Sequence, residues 1–265
     1  MAARVTVEAV GSGRGIVNNS PMSHTAGAGE AVLAPVAGGA MLYDGMSVGQ
    51  PDPRLFDVDH WRGLAALESV PGGRGTVAFV RPDAEQRWVL RHYHRGGAIA
   101  KWLDDRYLWT GASSTRAFRE WRLLRQLREW GLPAPRPVAA RYRRAGCFYR
   151  ADLLTEELPT RTTLAQAVRA APLEASQWQR IGRCIGALHA RGVQHADLNA
   201  HNLLLATSGD VYVLDFDRGR IRARGAWEQS VLSRLRRSLD KVTADLPAGH
   251  FGEPQWVELL RGVEG

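Results

Sequence analysis

A two-lobed α+β fold is predicted for this 265-residue chain by three observations. Short apolar runs separated by turn signals occupy residues 77–154, around a single amphipathic helical pattern. From residue 164 onward the periodicity is mainly helical. Between the two regions, Thr155-Glu156-Glu157-Leu158-Pro159 reads as one crossing segment. The expected division is a flexible N-terminal extension over 1–50, a sheet-bearing lobe over 51–155 and a reduced, mainly helical lobe over 156–265.

Residues 1–50 are rich in Gly, Ala, Ser and Pro and lack sustained periodicity, the mark of loosely packed chain. Residues 61–69 suit a short helix. Pro71-Gly72-Gly73-Arg74-Gly75-Thr76 forms a glycine-rich turn before a hairpin, whose strands are 77–80 and 88–93 and whose turn is Arg81-Pro82-Asp83. A helix over 115–130 follows, with Phe118, Trp121, Leu124 and Leu127 (or Leu123) as a core-facing stripe. Ser113, Ser114 or Thr115 caps its start, and Gly131-Leu132-Pro133 stops it. Two more strands, 138–142 and 147–154, flank Arg144-Ala145-Gly146. In the second lobe, 164–170 is a short helix and 176–190 a longer one, ended by Gly192. Residues 203–205 and 211–214 pair across Thr207-Ser208-Gly209-Asp210. Residues 227–242 form a final amphipathic helix with Arg234, Arg236 and Arg237. Its apolar Trp227, Val231, Leu232 and Leu235 either pack inward or lie on anionic lipid.

Hydrophobic residues make up 45% of the chain and there are nine Trp, which marks a folded protein. No apolar run is long enough to span a bilayer, and the N-terminus lacks a signal-peptide pattern. Cys147 and Cys184 have no metal-ligand spacing and read as free thiols of a reducing compartment. The net charge of +8 reflects an arginine excess, densest over 218–241. Such a surplus suits an anionic surface or a multiply anionic substrate. No nucleic-acid recognition motif accompanies it, so nucleic acid is not an expected partner.

The chemistry is carried by His195-Ala196-Asp197-Leu198-Asn199-Ala200-His201-Asn202, followed after a hairpin by Leu214-Asp215-Phe216-Asp217. An aspartate, an asparagine five residues on, and a second aspartate after the next strand are the spacing from which kinase-like phosphotransferases build a base and two metal ligands. Asp197 is the candidate base. Asn202 and Asp215 are the candidate Mg²⁺ ligands, with ATP as the phosphoryl donor. His195 reads as structural. Asp217 stands where glycine is usual and is open to three roles: ligand, ion-pair partner or turn former. Ala196 replaces an arginine that pairs with phosphorylated activation loops, and only a few residues, with no Ala-Pro-Glu, separate Asp217 from the last predicted helix, which leaves little room for an activation segment and peptide-docking helices. A small or lipid-linked hydroxyl therefore fits better than a protein acceptor. Arg91 occupies the strand position where a lysine ordinarily holds the nucleotide phosphates, and Glu120 is its expected acidic partner.

These residues resemble one family closely, the 3-deoxy-D-manno-octulosonic acid (Kdo) kinases. The resemblance lies in Gly73-Arg74-Gly75-Thr76, Leu90-Arg91-His92-Tyr93 with Arg95-Gly96-Gly97, Gly131-Leu132-Pro133-Ala134-Pro135, the Asp197–Asn202 string and Leu214-Asp215-Phe216-Asp217-Arg218. It implies a protein-kinase-like two-lobe fold and ATP- and Mg²⁺-dependent transfer to the 4-hydroxyl of Kdo on a lipid A precursor, at the cytoplasmic face of the inner membrane. Gly73 and Gly75 would then border the nucleotide. The carboxylate and phosphates of such an acceptor give a reason for the arginines, with Arg95 and Lys101 as the first expected contacts. The alternatives are a heptose kinase or another small-molecule hydroxyl kinase and, outside enzymes, a kinase-like binding module.

Overall fold

The structure, a computed structural model, describes residues 29–69, 77–94 and 105–265. Gly73, Gly75, Arg95 and Lys101 lie outside the described residues, as does the glycine-rich turn.

One antiparallel sheet dominates the first half of the chain. Its strands are β1 (Ala31–Val36), β2 (Gly39–Asp44), β3 (Leu67–Ser69), β4 (Val77–Val80), β5 (Trp88–His92), β6 (Tyr107–Leu108), β7 (Pro137–Ala145) and β8 (Phe148–Glu156). Their order is β1-β2-β7-β8-β5-β4-β3, with β6 also on β8. Helix α1 (Val58–Gly63) and a 3₁₀ turn at Pro53–Phe56 lie on one face, where Phe56 and Trp61 pack against Met41, Tyr43, Trp88 and Leu90. Helix α2 (Arg116–Glu129) packs on the other, burying Ala117, Phe118, Trp121, Leu124 and Leu127 against β7 and β8. Because successive strand side chains alternate in direction, β2 serves both cores, sending Met41 and Tyr43 one way and Ala40 and Leu42 the other.

Two expectations are corrected here. Residues 31–44 are not part of a loose extension: they form β1 and β2, and β2 pairs with β7 over Gly39–Tyr43. β2 is buried on both faces, so its sequence Gly39-Ala40-Met41-Leu42-Tyr43-Asp44 offers no period-two alternation to read. Residues 61–69 are not one helix either. The helix ends at Gly63, Ala65 takes a left-handed φ of 55°, and Leu67 then pairs with Val80. The Trp61 indole N–H donates to the Leu55 carbonyl at 2.8 Å, which ties α1 to the 3₁₀ turn.

The second half contains β9 (Thr160–Thr163), α3 (Leu164–Ala170), α4 (Ala175–Ala190), β10 (Val193–Gln194), β11 (Leu203–Ala206), β12 (Val211–Val213), β13 (Arg220–Ile221), α5 (Trp227–Thr243) and α6 (Glu253–Glu264). Strand β11 lies between β9 and β12, and β10 pairs with β13. Helix α5 buries Trp227, Val231, Leu232, Leu235 and Leu239 in the core, so its apolar face is not available to lipid. It is also not the final helix. Helix α6 packs against α4 through glycines: a Cβ at Gly182 would sit 2.0 Å from the Leu259 carbonyl, and one at Gly262 would sit 2.1 Å from that of Gln179. Those backbones approach more closely than any side chain allows.

A charged layer crosses the middle of the large sheet. Asp152 on β8 is the register partner of both His92 on β5 and Arg141 on β7. It meets His92 Nδ1 at 2.6 Å and accepts from Arg141 Nε at 2.9 Å. Asp105 approaches His92 Nε2 at 3.5 Å. Burial works against protonation of His92, but these carboxylates outweigh it and raise its pKa above the usual imidazole value. A raised folded-state pKa gives stability that is fully present below the unfolded value of about 6.5 and lost as pH rises through the folded value. We expect the stability difference between wild type and His92→Gln to be larger at pH 6 than at pH 9 in urea unfolding. A pH-independent difference would contradict this. Comparison with the variant is needed because burial lowers the pKa values of His189 and His195, which produces the opposite slope.

Candidate active site

A cavity of about 440 Å³ lies between the large sheet and the β9-β11-β12 sheet. Val77, Phe79 and Val89 line it from β4 and β5, Leu204 and Leu214 from the hairpin region, and residues 155–158 from the crossing segment. Arg91, Glu120, Asn202 and Asp215 also line it, so Arg91 and Asp215, 124 positions apart in sequence, are brought to one cleft.

Arg91 sits at the centre of the polar group. Its guanidinium pairs with Glu120 from α2 and with Asp215 Oδ1 at 2.6 Å. Tyr93 donates its hydroxyl to Glu120 Oε2 at 2.5 Å, and Arg91 Nη2 donates to that hydroxyl at 3.1 Å. Glu120 is 2% exposed at its side chain, a burial a carboxylate accepts only with such partners. Burial disfavours the Arg91 charge, yet Glu120, Tyr93 and Asp215 reverse that effect and raise its pKa further. Burial and Glu120 together push the Tyr93 hydroxyl well above its usual range, so it remains a donor.

The loop between β10 and β11 presents Asp197. Its shape is set by side chains bonding back to the loop's own backbone. Asn199 Nδ2 and Asn202 Nδ2 both donate to the Asp197 carbonyl, at 2.8 and 3.1 Å, and Asn199 Oδ1 accepts from the His201 amide at 2.9 Å. His195, 2% exposed, holds the loop to the strand end. Its Nε2 meets the Leu214 carbonyl at 2.8 Å, and its Nδ1 accepts from the Asp197 amide at 3.3 Å. A carbonyl only accepts and an amide N–H only donates, so the ring is neutral with the proton on Nε2. Burial depresses its pKa accordingly. The structural reading of His195 holds.

Asp215 follows β12 with a φ of 62°, unusual for a residue other than glycine. Phe216 is buried behind it and packs edge-on against the His195 ring at 4.9 Å. Of the three roles open to Asp217, the structure places it as an ion-pair partner: both its oxygens face Arg116 at the start of α2, with Nε donating at 2.6 Å. Arg234 from α5, not anticipated from the sequence, donates to Asp197 Oδ1 at 2.7 Å. Asp197 and Asp215 remain 43% exposed at their side chains.

The model for the lipopolysaccharide kinase (Kdo/WaaP) family matches residues 60–262, nearly the whole region that contains this cleft. The chain belongs to that family. As a lipopolysaccharide kinase it is a phosphotransferase with a hydroxyl acceptor, and its α+β architecture is kinase-like. It is 44% identical over 208 residues to a 3-deoxy-D-manno-octulosonic acid kinase of Stenotrophomonas maltophilia, a match covering 78% of this chain and 82% of that one. A protein of the same name from Xylella fastidiosa is also 44% identical over 208 residues, with the same coverage. One from Vibrio vulnificus is 38% identical over 224 residues, covering 84% and 94% of the two chains. No helix among the described residues of this kinase is long and apolar enough to cross a membrane.

Proposed function

We propose that this lipopolysaccharide kinase moves the γ-phosphoryl group of ATP to the 4-hydroxyl of a Kdo sugar on a lipid A precursor, working peripherally at the cytoplasmic face of the inner membrane. The observation that carries the proposal is a cleft lined by Asn202 and Asp215 beside the Arg91–Glu120 pair, with the loop residue Asp197 tied to it through the Asn202 amide.

The apolar walls from β4, β5 and the hairpin region suit an adenine ring, with residues 155–158 at its edge. Arg91 takes the donor's phosphates, its fork held in place by Glu120. Asn202 and Asp215 offer two hard oxygen donors, a set that fits Mg²⁺, which binds through few protein ligands and the substrate's phosphates. Held by these two side chains, the ion would take its remaining ligands from phosphate and water. Asn202 satisfies the Asp197 carbonyl with its amide nitrogen, which leaves its Oδ1 for a cation. Bound there, Mg²⁺ supplies charge neutralisation on the phosphates. Asp197 accepts the acceptor hydroxyl's proton.

Transfer of label from γ-labelled ATP with Mg²⁺ tests this reading. Three lipids are offered: a Kdo-bearing lipid A precursor, the same lipid without Kdo, and a heptose-bearing core lipid. Label confined to Kdo-bearing lipid is the expected result. Label that appears only once heptose is present would assign a heptose kinase, and nucleotide binding without transfer would leave a binding module.

A further inference from the structure

A second cavity, of about 710 Å³, opens between α3 and α5, and Arg234, which lines it, is the residue that pairs with Asp197. Gln166 lines both this groove and the nucleotide cleft, so the two adjoin. Arg234, Arg237 and Lys241 line one wall, Arg169 the other, and His201 belongs to the catalytic loop; no carboxylate lines the groove. Positions 234, 237, 238 and 241 follow i, i+3, i+4, i+7 spacing and form one face of α5, beside the stripe that fills the core. The face is fixed against the loop, because Ser238 Oγ accepts from the Ala200 amide at 3.1 Å. Arg169 is already engaged with both oxygens of Asp245. Arg237 and Lys241 have no ion-pair partner among the described residues, and both are exposed. Arg234 has one, and it is the Asp197 carboxylate itself.

We propose that this groove is the acceptor site and that Arg234 is its switch. The inference rests on the kinase reading above and locates that reaction's second substrate. An acceptor with an acidic group beside its reactive hydroxyl draws Arg234 from Asp197 onto its own carboxylate. Arg237 and Lys241, up to about 10 Å further along the helix, take the more distant phosphates of a lipid headgroup. Asp197, freed of its cation, accepts the hydroxyl proton. The hydroxyl oxygen then bonds to the γ-phosphorus as the bond to the β–γ bridging oxygen breaks, and its electron pair leaves with ADP. Arg234 is a positioning residue in this scheme: it keeps the base neutralised until an anionic acceptor arrives. A neutral hydroxyl compound, or water, has nothing with which to draw it away.

Steady-state transfer to Kdo-bearing lipid A precursor in mixed micelles tests the site with Arg237→Gln/Lys241→Gln. The acceptor KM is expected to rise at least tenfold, with KM for ATP changing less than twofold and a shallower dependence of acceptor KM on salt. Arg119→Gln/Arg220→Gln, two exposed arginines outside both cavities, serves as the control for the two lost charges. An unchanged acceptor KM in the double variant overturns the acceptor site while leaving the kinase reading intact; absence of transfer by wild type overturns both. The switch is tested with soluble Kdo and its methyl ester. Wild type is expected to prefer the carboxylate at least tenfold, and Arg234→Gln to lose most of that preference. Equal preference in the two proteins overturns the switch. Arg234→Lys should recover part of the discrimination if charge placement is its role, and none if the arginine only stabilises the fold.

Discussion

Replacing Asp197 with alanine is expected to lower kcat for phosphoryl transfer about 10²–10⁴-fold, the usual contribution of a positioned general base. The fold should not suffer. The side chain is 43% exposed, and its one strong contact is an ion pair with the equally solvated Arg234, an arrangement that contributes at most about 1 kcal/mol. The backbone of residue 197 carries the structural work, through its amide to His195 and its carbonyl to Asn199 and Asn202, and a substitution keeps both. Single-turnover transfer and urea unfolding on the same protein separate the two effects. A rate within tenfold of wild type would remove Asp197 from the proton's path. Loss of rate accompanied by loss of stability would point to loop collapse.

Arg91→Ala should have the opposite profile, damaging stability and activity together. It removes the main counter-charge of a Glu120 carboxylate buried to 2% exposure, leaving only the Tyr93 hydroxyl. Breaking a buried pair from one side costs about 3–5 kcal/mol. Arg91→Lys is no conservative change here, because one ammonium cannot reproduce a fork that meets Glu120, Asp215 and Tyr93 at once. The decisive variant is Arg91→Met with Glu120→Leu. Removing both charges is expected to restore most of the lost stability, while ATP affinity and turnover stay low. If the double change restores neither, the pair is only one part of a larger network. If it restores both, Arg91 has no role with the nucleotide.

The motif residues were legible because their spacing is short. Asp197, Asn202 and Asp215 lie within one loop and one hairpin, and local chain geometry brings Asn202 and Asp215 to the cleft and ties Asp197 to Asn202. The Arg91–Glu120 contact was legible for another reason: a cation on a strand and an acid on the next helix are a recurring pair. The helices α2, α3, α4 and α5 fall within a residue or two of expectation, since each carries a full apolar stripe. Strands β1 and β2 were hidden because β1 is an edge strand that buries none of its residues fully and β2, paired with β7, is buried on both faces and shows no alternation. Arg234 was visible only as one charge in a basic run. The signal that singles it out is the spacing of 234, 237, 238 and 241, which gives those residues a face of their own. Their meeting with Asp197 depends on how α5 packs, a long-range fact that no local pattern contains.

Four carboxylates at the site each have an arginine: Asp197 has Arg234, Asp215 and Glu120 share Arg91, and Asp217 has Arg116. Ligand capture here is therefore an exchange of partners. A phosphate arriving at Arg91 or a cation arriving at Asp215 gains one attraction and breaks another of similar kind, so the net gain is a difference between two comparable terms. Sites of this sort bind loosely for their charge and release easily, and they leave more of the interaction energy for the transition state, where charge is redistributed. A lipopolysaccharide kinase, whose product is a building block for later steps, is better served by such a site than by one that waits with bare charges and holds what it catches.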